Sequence, residues 1–235
     1  MAAGTTASER LRYKISLIGP GVGLPARLLL EHPNARDVYP RYLATGYHIT
    51  YGMIRIMEAA LERARDIAQE DRVASGLATY LERHVVEETH HEEPGGAVLD
   101  DLRALDVDAA ALVEECYSRK IAYLLGAQHD WILKRHPVGV LGFLELEAYH
   151  TPPPLVERLI ENTGLPRKGF RQLLLHAKLD AVHSEQLHEV LDSLPLEPRH
   201  EQLIGLSALK TIGLVADALL DVVQDAVPIP AAHRN

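Results

Sequence analysis

Two segments of this chain carry the same spacing of side chains suited to metal binding. The stretch 80–91 reads YLERHVVEETHH, and 175–183 reads LHAKLDAVH. At about 100° per residue, His84, Glu88 and His91 fall within roughly 60° of one another on a helix, and so do His176, Asp180 and His183. Each triplet has the form His-x3-acid-x2-His and lies beside an apolar strip: Leu77, Leu81 and Val85 in one case, Leu173, Leu174, Leu175 and Leu179 in the other. Imidazoles and carboxylates turned into such surroundings without a partner would each cost a few kcal/mol of desolvation. A shared cation satisfies them, and this donor set suits iron, manganese or zinc. One triplet alone reads equally well as a wet face, since Arg83, Glu87 and Glu92 are close by; two matching triplets favour an inward site.

Bridging two cations calls for a further carboxylate. The nearly uncharged stretch 139–148, GVLGFLELEA, offers Glu145 or Glu147. Two residues apart on one helix, they are not expected to face inward together. His90 and His188 fall off the two faces and read as surface residues. His32, His129, His136, His150, His200 and His233 lie near breaks or ends and read as exposed.

The elements that must position these groups are helices. Strand alternation and hairpin turns are nearly absent, and 3.6-residue periodicity marks segments at about 37–68, 71–93, 108–134, 138–149, 155–162, 166–194 and 201–227. Pro94-Gly95-Gly96, Pro137, Pro152-Pro153-Pro154, Gly164, Pro195 and Pro198 supply the stops. Gly46 and Gly52 are candidates for a bend in the first segment, and the ends, 1–10 and 228–235, read as frayed. The expectation is an all-α bundle of about seven helices forming one domain over residues 1–235, with an ordered core at about 35–227.

Composition narrows the function. The 235 residues hold 24 Lys and Arg against 33 Asp and Glu, a formal net charge of −9, which argues against nucleic acid as a partner. The lone Cys116 forms no internal disulfide, no secretory signal leads the chain, and no run approaches the roughly 18 apolar residues of a membrane span. The expectation is a cytoplasmic protein that acts on a small molecule away from membranes.

Glu88-x2-His91, a carboxylate in Gly142-Phe-Leu-Glu-Leu-Glu147-Ala-Tyr149 before prolines, and His176-x3-Asp180-x2-His183 together resemble the haem-oxygenase-like diiron oxidases, more distantly related to thiaminase II and pyrroloquinoline-quinone synthase. The stretches 38–43, 57–63, 100–105 and 207–211 are also similar, so that the likeness covers about residues 35–227. The resemblance implies a haem-oxygenase-like bundle and six metal ligands, Glu88, His91, Glu147, His176, Asp180 and His183. They would hold two Fe(II) ions, with O2 as co-substrate and an external electron donor. The chain departs from the family at Glu92-Glu-Pro-Gly-Gly96, an insertion that unsettles the helix geometry after His91. His84 has no set family role. With six other donors available, it is expected to support the ligands or to touch substrate.

The activity implied is oxidation of a small carboxylate-bearing molecule by C–H abstraction, leading to desaturation, fragmentation, decarboxylation or N-oxygenation. The polar residues His84, His48, Tyr47, Arg55 and Lys178 favour an amino acid over the alternative, a fatty acid undergoing oxidative decarboxylation. A metal-free thiaminase-like enzyme is a further alternative, disfavoured because Cys116 reads as mid-helix without a histidine at helical spacing. A non-catalytic metal-binding protein is another. A homodimer is compatible with all of these.

Overall fold

The computed structural model describes residues 5–18, 23–91, 96–149 and 151–225, with the side chains of all of these except His90, His91, Tyr149, Asp180 and Ala181. Among the described residues there are eleven α-helices and no β-strand: α1 Ala7–Ser16, α2 Leu24–Glu31, α3 Ala35–Ile67, α4 Arg72–His91, α5 Gly96–Ala104, α6 Ala109–Glu115, α7 Arg119–Lys134, α8 Val140–Leu144, α9 Pro153–Thr163, α10 Arg171–Ser193 and α11 Pro198–Gln224. Short 3-10 turns occupy Pro137–Gly139, Glu145–Tyr149 and Arg167–Phe170. The all-α architecture matches the expectation, and the count of about seven is corrected upward.

Two of the extra helices lie before residue 35. Residues 1–4 and 228–235 lie outside the described residues, but 7–10, also read as frayed, are helical: Thr6 and Glu9 form a reciprocal capping box that starts α1, and Ser8 donates from its backbone N–H and its hydroxyl to Asp192 on α10, both at 2.8 Å. The segment 108–134 divides because its apolar positions change phase. Leu112 and Ile121 are nine residues apart, so a straight helix would set them about 180° apart. A break at Cys116–Ser118 lets both be buried, and Cys116 ends α6 rather than lying mid-helix. Gly46 and Gly52 do not interrupt α3, whose helix is continuous; Gly52 instead admits the Leu125 side chain, which a Cβ would meet at 2.5 Å.

The core is built around α3 and α11. The latter has the length and apolar character of a membrane span, yet half of its most apolar window is buried inside the fold, against α1, α2, α3, α7 and α8. One buried cluster joins α3, α4, α7, α8 and α11 through residues such as Met57, Leu81, Phe143 and Ile212. A second gathers Tyr39, Leu102, Leu112 and Phe170.

Three helix starts meet at Asp71, His136 and His200, and the two histidines are far less exposed than their positions near breaks imply. Asp71 Oδ1 accepts from the N–H groups of Val73 and Ala74, His136 Nδ1 from Val138 N–H, and His200 Nδ1 from Glu197 N–H. His136 Nε2 lies 3.2 Å from Asp71 Oδ2. Protonating either Nδ1 would remove a cap. Burial holds both imidazoles below their ordinary range, the nearby Asp71 opposing this for His136, and His200 and Arg199 adding to it. A histidine whose folded-state pKa is depressed contributes stability above its unfolded value, lost as pH falls through about 6.5. Asp71 is also depressed, because Ala74, His136 and Val73 outweigh its burial, so its contribution is lost at still lower pH. The melting temperature is expected to drop by several degrees between pH 7.5 and 5.5. His200→Asn, whose amide oxygen can accept the same N–H without titrating, should flatten that slope. An unchanged slope in thermal melts would contradict this assignment.

Candidate metal centre

Helix α4 presents Tyr80, His84 and Glu88 at intervals of four residues, one above another, and α10 packs on the 3-10 turn that carries Glu147. The result is a buried group of His84, Glu88, Glu147 and His183, with one potential ligand atom from each lying within 4.8 Å of the others. His84 is 0% exposed, Glu88 2%, His183 5% and Glu147 6%. His84 Nε2 is 2.9 Å from Glu147 Oε1, and His183 Nδ1 is 3.1 Å from Glu88 Oε1.

Opposing forces act on the two carboxyls. Burial pushes Glu147 up, and the negative charge of Glu88 adds to this while the His84 hydrogen bond works against it. Burial would raise Glu88 too, but the hydrogen bond with His183 and the charges of His84, His176 and His183 hold it below its ordinary value. One oxygen of each, Oε2, is buried without a hydrogen bond. Two carboxyl groups this close and this dry are relieved either by a proton on Glu147 or by positive charge between them. The donor set of two imidazoles and two carboxylates, with acceptor oxygens left over, fits a divalent first-row metal.

Of the six ligands implied by resemblance, Glu88, Glu147 and His183 come together here. His176 faces the same region: it acts on Glu88 electrostatically and shares with Glu147 the wall of a cavity of about 220 Å3. The side chains of His91 and Asp180 lie outside the described residues, as do residues 92–95 of the insertion. The fourth member found in the group is His84.

Glu145 and Glu147 are both buried, at 1% and 6% exposed, against the expectation that only one faces inward. They sit on a 3-10 turn enclosed by α8, α10 and α11, not on one face of an α-helix. Glu145 Oε1 lies 3.3 Å from Nε2 of His188, which is therefore no plain surface residue: its side chain is only 18% exposed. Its loss would leave a buried carboxylate without its counter-group.

The cavity beside Glu147 is largely apolar, with Leu43, Ile49, Met53, Leu146, Leu173 and Val215 on its wall. Its polar contacts come from Gln172, Thr50, Thr151 and Tyr42, whose hydroxyl burial pushes up to about 12. No Lys or Arg is among the described residues that line it. The other polar groups that favoured an amino acid are elsewhere: His48 is bonded to the Val113 carbonyl at 2.9 Å, Tyr47 stacks on Tyr51, and Arg55 and Lys178 are exposed.

Asp71, His136 and His200 also converge closely enough for a metal. There both Nδ1 atoms accept backbone N–H groups, so each neutral ring carries its proton on Nε2 and turns a donor, not a lone pair, toward the cluster. This trio joins helix starts.

No known family model and no curated protein sequence matches the chain. Solved structures do. A domain of unknown function with a heme oxygenase-like fold from Shewanella denitrificans OS217 superposes with a TM-score of 0.73 at 16% identity, over 92% of this chain and 91% of that one. A TenA homolog from Pseudomonas syringae pv. tomato superposes with a TM-score of 0.70 at 13% identity, over 95% and 96%. The chain has a heme oxygenase-like fold.

Proposed function

We propose that this protein is an O2-dependent non-haem iron oxidase acting on a small carboxylate-bearing molecule with a mainly apolar body. The observation that carries the reading is the buried His84–Glu88–Glu147–His183 group, which opens through Glu147 and His176 onto an apolar cavity. Glu88, Glu147 and His183 would hold iron, with His176, His91 and Asp180 as the further donors expected from sequence. Iron bound there would supply electrons to O2 and the positive charge that the cavity wall lacks. The largely apolar wall would limit the water reaching a reactive oxidant, and Gln172 and Tyr42 offer neutral hydrogen bonds for orientation. An apolar wall without a cation suits an alkyl carboxylate better than a zwitterion, so a fatty acid is favoured here over an amino acid.

The thiaminase-like alternative would need a nucleophilic cysteine. Burial pushes the Cys116 thiol up to about 11, with Glu115 adding to this and Arg41 opposing it, so it is a thiol at neutral pH. Cys116 also lines a different cavity, with Arg41 and Lys120, rather than the one at Glu147. Cys116→Ala is expected to keep turnover within about twofold of the parent protein. A loss of 100-fold or more would move the reading to a cysteine enzyme. The test of the proposal itself is anaerobic loading with Fe(II), exposure to O2 with a panel of fatty acids and amino acids, and mass spectrometry of the products. Oxidised or shortened fatty acid is the result expected. Iron uptake without O2 consumption for any substrate would leave a metal-binding protein.

A further inference from the structure

We infer that His84 is itself a ligand of the cation through Nε2, held in orientation by Glu87. The inference rests on the metal-centre reading above and extends it to two residues.

The His84 ring is fixed from two sides. Tyr80, one turn earlier on α4, stacks on it with centroids 5.1 Å apart and planes 17° from parallel, and His183 meets it nearly edge-on at 5.0 Å and 78°. In that plane Nε2 points at Glu147 Oε1, 2.9 Å away, and Nδ1 faces Glu87 Oε2 at 3.9 Å. Glu87 is only one-third exposed, and its Oε2 is buried without a hydrogen bond. Both nitrogens therefore confront carboxylates, whereas a neutral imidazole has a single N–H.

A neutral His84 without a cation leaves something unmatched, and an imidazolium donating toward both carboxylates is the competing arrangement that metal binding by the variants decides. If Nε2–H merely donated to Glu147, the Nδ1 lone pair would face the Glu87 carboxylate. His84 is not among the described residues lining the cavity, which argues against a direct substrate contact. A cation on Nε2 resolves both ends: the ring proton stays on Nδ1, toward Glu87, as in the carboxylate–histidine–metal arrangements that orient ligating imidazoles.

Equilibrium dialysis against Mn(II), and anaerobically against Fe(II), tests this on the full-length protein and on His84→Ala, His84→Gln and Glu87→Gln. Circular dichroism establishes that each variant is folded. His84→Gln keeps much of the side-chain volume should the alanine variant fail to fold, and Glu87, at the edge of the site, tolerates an isosteric change. The expected result is at least a 100-fold loss of affinity in the folded His84 variants. Glu87→Gln should weaken binding by about 10- to 100-fold without changing the number of ions bound. Wild-type affinity in a folded His84 variant would overturn the ligand role and leave the metal centre intact. Wild-type affinity in Glu87→Gln would remove Glu87 from it. If the parent protein binds neither ion, the metal-centre reading falls and this inference with it.

Discussion

Glu147→Ala is expected to abolish iron-dependent O2 consumption, with a fall of at least 100-fold, and to lower the iron retained after desalting. Among the described residues Glu147 alone belongs both to the buried donor group and to the cavity wall, so its removal takes a donor from the metal and a polar end from the substrate site at once. It would also leave His84 Nε2 without the oxygen it faces at 2.9 Å. Glu145→Ala is the informative partner experiment. Glu145 is at least as buried, but it pairs with His188 and stands outside the donor group. Its loss should cost stability while iron content stays at the parent level. Atomic absorption on the two variants separates them, and equal iron loss in both would show that the turn, rather than the Glu147 carboxylate, holds the metal.

Gly142→Ala is expected to destabilise the fold more than a methyl group added at any other glycine of the described residues. A Cβ there would sit 2.1 Å from the Ile204 carbonyl oxygen, 2.8 Å from the Ala208 nitrogen and 2.9 Å from the Ser207 Cβ. Two of these are backbone atoms of α11 and cannot rotate aside, so α8 must move away from the central helix. Overpacking of this kind costs about 1–3 kcal/mol and sometimes more. At about 2–4 °C per kcal/mol for a chain of this size, a drop of roughly 2–12 °C follows. Because α8 leads directly into the turn carrying Glu147, iron affinity should fall with it. Gly126 is the control, exposed on α7 with nothing within 4 Å of the place a Cβ would take: Gly126→Ala should be neutral or stabilising by up to about 1 kcal/mol. Differential scanning calorimetry of both variants checks the contrast.

The sequence was most readable where one physical rule decides the outcome. The His-x3-acid-x2-His segments fall on α4 and α10, and Glu88 of the one lies 3.1 Å from His183 of the other. The Pro and Gly stops mark most helix ends to within a few residues. Less readable was whatever depends on neighbours remote in sequence. Nothing local to Glu145 shows that His188 will reach it, or that a 3-10 turn enclosed by three helices will bury both carboxylates. His136 and His200 stand beside prolines, where exposure is the ordinary outcome; their burial comes from three helix starts meeting at Asp71. Two signals were present in the sequence but are easily passed over. Thr6-x2-Glu9 is a capping box in a stretch that reads as frayed, and the half-turn phase change between Leu112 and Ile121 announces the break after Cys116. Glu87 belongs to neither group: on a helical wheel it is a wet residue that pairs with Arg83 one turn earlier, and only the placement of the His84 ring brings its other oxygen toward the site.

The central claim, that the buried group on α4, α10 and the Glu145–Tyr149 turn is a metal centre, is tested most directly by anomalous diffraction at the iron edge from crystals loaded anaerobically with Fe(II). The strongest peak is expected within coordination distance of Glu88, Glu147 and His183, with His84 beside it. A loaded crystal with no peak there, or with its peak at Asp71, His136 and His200 instead, would contradict it.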